Sequence, residues 1–179
     1  MVVLNKARAI LPILANYEAT PCMFRKILFS LVIILMIAAP VQADGGSFPA
    51  AAQTGDMLLN EMQTVYETNL ARRANGLSPL RMNAELNEAG RWFSWDSTVN
   101  RDPGYCGHQD TNGNWPDTRA VLAGYTGDAG AENAYCGYVT PQQAVEGWLD
   151  SEGHRANLLS PGMSEIGLGY YQRTTDQRG

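Results

Sequence analysis

The chain contains only two histidines, and each directly follows a glycine: Gly107-His108 and Gly153-His154. Glycine permits tight turns and close approach of a ligand, so both rings suit loop or helix-end positions. The acids around them are Glu132, Glu146, Asp150 and Glu152. Two imidazoles and a carboxylate suit Zn²⁺, which takes nitrogen and oxygen ligands at about 2.0–2.2 Å. The histidines lie 46 positions apart and form no local zinc motif, so such a set depends on the fold. One chemistry these residue types allow is zinc-assisted hydrolysis, with His108 and His154 as ligands and Glu132 or Glu152 as base. Ser151 stands close before His154, but no Gly-x-Ser-x-Gly elbow surrounds it, which leaves it a polar residue at a helix end. No glycine-rich phosphate loop follows a strand pattern, so nucleotide binding has no support.

The positioning of these groups begins with the cysteines. Of three, Cys22 precedes an apolar run, and Cys106 and Cys136 flank the segment holding His108 and Glu132. In an oxidising compartment one Cys106–Cys136 disulfide is the default. The alternative, a Cys106 nucleophile served by His108, is disfavoured by an acidic neighbourhood that raises a thiol's pKa. If the bond forms, the loop carrying His108 is pinned beside the segment carrying Glu132.

Charge separates the chain into two parts. Residues 1–43 hold both lysines, two arginines and one acid, whereas the rest has nine arginines against seventeen acids, a net charge of −8. So acidic a body lacks the clustered cations that nucleic-acid binding requires. Met23-Phe24-Arg25-Lys26, the apolar run Ile27 to Ala39 and the small-residue ending Val41-Gln42-Ala43 follow the order of a secretory signal peptide, cut after Ala43. Thirteen apolar residues reach only about 20 Å as a helix, short of the roughly 30 Å hydrocarbon core, so no membrane span is expected in the processed chain. The organisation read from sequence is a leader and signal peptide over 1–43, with Met23 a second candidate start, a small-residue linker over 44–55, and a domain over 56–179. The location this implies is secreted, extracellular or periplasmic.

Within the domain, Leu58, Leu59, Met62, Val65, Tyr66 and Leu70 share one face of a helix over 56–74, the face expected to be buried. Asn75-Gly76 ends it. Asn83 caps a second helix running to about Thr98, with Trp92, Phe93 and Trp95 as apolar load. Residues 100–120 show no period, and a short helix follows over 117–124. Ala131 to Val139 is weakly strand-like. Thr140-Pro141-Gln142-Gln143 opens a helix through a capping box, with Ala144, Val145 and Trp148 as its buried face and Gly153 as its end. That places His154 just past a helix C-terminus. Ile166, Leu168 and Tyr170 alternate as a last strand. Residues 174–179 read as a hairpin turn with no return strand, so this strand is expected to lack a partner and the domain to lack its final strand.

The ordered set His108, Arg119 with Gly124-Tyr125, Glu132-Asn133, Trp148-x-x-Ser151-x-Gly153-His154-Arg155-x-Asn157 and Ile166-Gly167-x-Gly169-Tyr170 resembles the CAP superfamily: cysteine-rich secretory, antigen 5 and pathogenesis-related proteins. Asn69, Arg72-Arg73 and Gly76-Leu77-Ser78-Pro79-Leu80 in the opening helix and the turn after it extend the likeness to the bacterial SCP-like extracellular branch. The resemblance implies an α+β fold, an α-β-α sandwich with a small antiparallel sheet between helical layers. It also implies a cleft lined by two His and two acids, which in some members holds a divalent metal. His108, Glu132 and His154 match three of these; Ser151 occupies the place of the second Glu, with Glu146 or Glu152 as geometric substitutes. Asn133 and Arg155 are expected to support the cleft, Arg155 by pairing with Asp150 or Glu152. The expected function is a binding module for a lipid, a peptide or an envelope component, with the zinc hydrolase as alternative.

Overall fold

A computed structural model describes residues 2–6, 48–49, 53–102, 104–137 and 139–173. The expected signal peptide (23–43), residues 44–47 and 50–52 of the linker and the 174–179 turn lie outside the described residues. The elements are β1 (Val2–Lys6), α1 (Gly55–Ala74), β2 (Arg81–Met82), α2 (Ala84–Val99), α3 (Pro116–Leu122), β3 (Asp128–Asn133), α4 (Pro141–Asp150), α5 (Glu152–Leu158) and β4 (Met163–Leu168). The sheet order is β2-β4-β1-β3. The long strand β1 runs antiparallel to both of its neighbours, β3 and β4, and the two-residue β2 joins β4 in parallel. Helices α2 and α3 pack on one side, and α1, α4 and α5 on the other. This is the expected α-β-α sandwich.

Side-chain alternation along β4 builds both layers. Ile166 and Leu168 face α1 and α4, joining Val65, Leu80, Val145, Trp148, Leu158 and Met163 in the larger core. Gly167 and Gly169 face α2, where any side chain would meet the backbones of Leu86 and Gly90. The same two backbones are tied by polar contacts: Leu168 donates its N–H to Asn87 Oδ1 at 2.9 Å, and Ser94 Oγ donates to the Gly169 carbonyl at 2.8 Å. A smaller cluster of Leu86, Ala120 and Tyr125 fills the α2–α3 side.

Local signals hold where they are chemical. Asn83 Oδ1 accepts the Leu86 N–H at 2.9 Å as the cap of α2, and Thr140 and Gln143 form the capping box of α4. Four expectations are corrected. The first is the buried face of α1. Leu58, Leu59, Met62, Tyr66 and Leu70 are exposed, and the inward residues are Met57, Glu61, Thr64, Val65, Thr68 and Arg72. The charged side chains Arg72 and Glu61 can occupy that face because their bonding needs are met there. Arg72 donates to the carbonyls of Ser78, Leu158, Ser160 and Met163, and Glu61 pairs with Arg91 at 2.6 Å.

The second is the end of α4, which stops at Asp150 rather than Gly153. Ser151 takes extended backbone (φ −98°, ψ 123°) and is at once the C-cap of α4 and the N-cap of α5. His154 therefore lies inside a helix, not beyond one. The third is β3, which spans Asp128–Asn133 instead of Ala131 to Val139; Gly137, with φ +105°, turns the chain away after it. The fourth is the unpartnered last strand. β4 pairs with β2 on one edge and with β1 on the other, and β1 comes from residues assigned to the leader. Phe48, within the expected linker, is also buried, and its N–H donates to Glu88 Oε1 at 3.0 Å.

Candidate functional site

His108 sits on the loop after α2, and three features hold that loop. The Cys106–Cys136 disulfide, with Cα atoms 5.8 Å apart, ties it to the segment after β3. Closing a loop of that length contributes about 3.7 kcal/mol in the chain-entropy model. Asp110, fully buried, accepts from Trp92 Nε1 and from the Asn114 N–H. Asp96 in α2 accepts from the N–H and hydroxyl of Thr111. These aspartates went unrecognised as sequence signals, although Asp96 within an apolar helix stretch and the Asp110-Thr111-Asn112-Gly113-Asn114 turn are visible marks of a polar clamp.

At the centre, His108 Nδ1 donates to Glu132 Oε1 at 2.9 Å. The other carboxylate oxygen accepts from Arg119 of α3 at 2.5 Å. Arg119 also donates to the His108 carbonyl at 2.7 Å and the Asn114 carbonyl at 2.9 Å. Its guanidinium lies 4.0 Å from the centre of the Phe93 ring, an attractive cation–π arrangement. Glu132 and Arg119 side chains are each 1% exposed, whereas the His108 side chain is 39% exposed. A buried carboxylate is thus neutralised by one buried guanidinium while it orients one half-exposed ring. The hydrogen bond to Glu132 holds the His108 pKa above the ordinary histidine value, against opposing effects of burial and of Arg119. With Nδ1 committed, Nε2 is the ring nitrogen left for a ligand.

The remaining residues divide between scaffold and rim. Asn133, fully buried, donates to the His154 carbonyl at 3.0 Å and accepts from Asn157 at 2.8 Å, locking α5 onto β3. His154 is half-buried in α5. Arg155 donates to the Leu149 carbonyl rather than pairing with Asp150 or Glu152. Glu146 is exposed and accepts from Gln142. Glu152 is exposed in the first turn of α5, and Ser151 is the helix junction. Among the described residues, no three His, Cys, Asp or Glu side chains gather into a group that could hold a metal ion. The donor set does not fit a zinc centre: both Glu132 oxygens are engaged, and His108 offers one nitrogen. A cavity of about 620 Å³ opens beside the disulfide, its wall including Phe93, Tyr105, Gly107, Val139, Trp148 and Leu168.

A thin sheet between helical layers, with a buried Glu at one strand end steadying a loop histidine, defines an SCP-type domain. The chain belongs to the cysteine-rich secretory protein (CAP) family, whose sequence pattern it matches over residues 65–178. It is 34% identical to YkwD of Bacillus subtilis over 112 residues, which cover 63% of this chain and 42% of that protein. It is 31% identical over 110 residues to YlbC of the same organism, described as a membrane protein, covering 62% and 31%. The chain thus spans less than half the length of either relative. Among solved structures, an extracellular SCP-domain protein from Bacillus anthracis superposes with a TM-score of 0.61 at 25% identity, over 68% of this chain and 41% of that one. An outer surface protein of Borrelia burgdorferi shares the fold with a TM-score of 0.52 at 21% identity, over 69% and 86%. Among the described residues, no helix is long and apolar enough to cross a membrane.

Proposed function

We propose that this chain is a secreted binding module, extracellular or periplasmic, whose cleft presents His108 as a fixed polar contact for a lipid, a peptide or an envelope component. The observation that carries the reading is the His108–Glu132–Arg119 cluster: two buried charges spend their contacts on holding one half-exposed ring. As imidazolium, that ring donates from Nε2 to a carbonyl, carboxylate or phosphate oxygen. The cavity of about 620 Å³, lined by Gly107 next to His108 in the chain, falls within the size range of small-ligand pockets and offers the part-exposed Tyr105, Tyr135 and Val139 to an apolar portion. Secretion is supported by the signal-like order of residues 23–43 and by the names of the structural relatives. The zinc hydrolase needs Glu132 or Glu152 as base; Glu132 is buried with its oxygens turned to His108 and Arg119, and Glu152 is exposed in the first turn of α5.

The test is co-sedimentation of the purified protein with isolated bacterial envelope and with phosphatidylcholine or phosphatidylglycerol vesicles, alongside binding to an immobilised peptide library. His108→Ala is compared throughout, its fold checked by circular dichroism. One probe is expected to bind the wild type at least about tenfold more tightly than His108→Ala, the loss of one charge-assisted hydrogen bond. Equal binding of both proteins to every probe would contradict the reading.

A further inference from the structure

Strand β1 lies in the middle of the sheet although it comes from the extreme N-terminal region. Val2, Val3 and Leu4 pair with Asn133, Glu132 and Ala131 of β3 on one side. They pair with Leu168, Gly167 and Ile166 of β4 on the other. The register shifts between Leu4 and Asn5 against β3, and between Asn5 and Lys6 against β4, so the uninterrupted ladder on both sides is Val2–Leu4. Since β3 is the outermost strand, β1 is its sole strand partner among the described residues. Without β1, β4 keeps only the two-residue β2. The N-terminal strand belongs to the same compact unit as Asp44–Gly179.

We propose that the channel between β3 and β4 is a strand-acceptor site whose occupant is the N-terminal peptide Val2–Lys6, held by its backbone and exchangeable once the covalent link to the body is cut. With Val2–Lys6 removed, the facing edges of β3 and β4 would present backbone donors and acceptors to an extended peptide, and strand addition of this kind draws its affinity from main-chain hydrogen bonds. The link that would be cut is the one the signal-like sequence marks, after Ala43. Occupancy also bears on the binding site. Val3 stands opposite Glu132 and Val2 opposite Asn133, so the peptide fixes the strand that orients His108 and anchors α5. This proposal rests on sheet topology alone and stands apart from the ligand reading above.

The test uses the full chain with a site-specific protease sequence inserted after Ala43, folded and then nicked. Size exclusion with mass spectrometry reads whether the N-terminal fragment stays on the body. Isotope-labelled peptides of residues 1–8, wild type or Val3→Pro, are then added in excess, and amide exchange is followed at 128–133 and 163–168. The fragment is expected to co-elute with the body, and the labelled wild-type peptide to replace it at least about tenfold better than Val3→Pro, which lacks a ladder N–H. If the fragment leaves and protection falls, excess wild-type peptide must restore it. Three results would overturn the proposal: departure of the fragment with both strands as protected as before nicking, failure of the peptide to restore lost protection, or equal replacement by Val3→Pro.

Discussion

Glu132→Ala is expected to destabilise the domain by about 3–5 kcal/mol, the usual cost of removing one member of a buried ion pair. Glu132 and Arg119 are each 1% exposed and meet at 2.5 Å. The truncation leaves a guanidinium in the interior with the carbonyls of His108 and Asn114 but without its charge partner. It also frees the disulfide-tied loop from its contact to β3. Glu132→Gln, which keeps the shape and one acceptor, should lose less. Urea unfolding at pH 7 measures both. A cost for Glu132→Ala below about 1 kcal/mol, the range of exposed pairs, would mean that the cluster is solvated and cannot fix the ring.

Gly167→Ala is expected to cost about 3 kcal/mol, the upper part of the overpacking range, and to lower Tm by about 10 °C. A methyl group there would run into the backbone carbonyl and Cβ of Leu86, and at Gly169 into the Gly90 backbone. Neither obstacle is a side chain that can swing aside, so α2 must lift from β4. That movement would break the Asn87 bond to Leu168 and the Ser94 bond to Gly169. Gly153→Ala is the control: nothing lies within 4 Å of that position in α5, and alanine should be neutral or mildly stabilising in a helix. Differential scanning calorimetry of the two variants separates a packing requirement from a general intolerance of the substitution.

These two positions show what the sequence makes legible. Local chemistry is readable: Asn83, Thr140 and Gln143 cap helices where their side chains demand, and Cys106 and Cys136 pair where elimination puts them. Glu132 and Asn133 were found through an ordered motif, not through periodicity. What fails is inference from apolar spacing alone. The stripe Leu58-Met62-Tyr66-Leu70 has helical period and faces outward, because Arg72 and Glu61 bond to carbonyls and to Arg91 contributed by distant parts of the chain. No local window contains those partners. Gly167 and Gly169 read as mere gaps in a strand until α2 is placed against them. β1 was hidden for a different reason: the strand lies ahead of a segment with the pattern of a signal peptide, so composition assigned it to the leader.

The raised pKa of His108 also sets a pH dependence. Because its folded value lies above the unfolded one, its contribution to stability is complete below the unfolded value and is lost as pH rises through the folded value. The most direct measurement on the central claim is therefore an NMR pH titration of the His108 ring in the full chain, with and without Glu132→Gln. The account predicts titration above the ordinary histidine value of about 6.5 in the wild type, a clear fall in Glu132→Gln, and a proton retained on Nδ1 when the ring is neutral. Titration at the ordinary value in both proteins, or a neutral ring protonated on Nε2, would contradict the claim that buried Glu132 holds this histidine for a ligand.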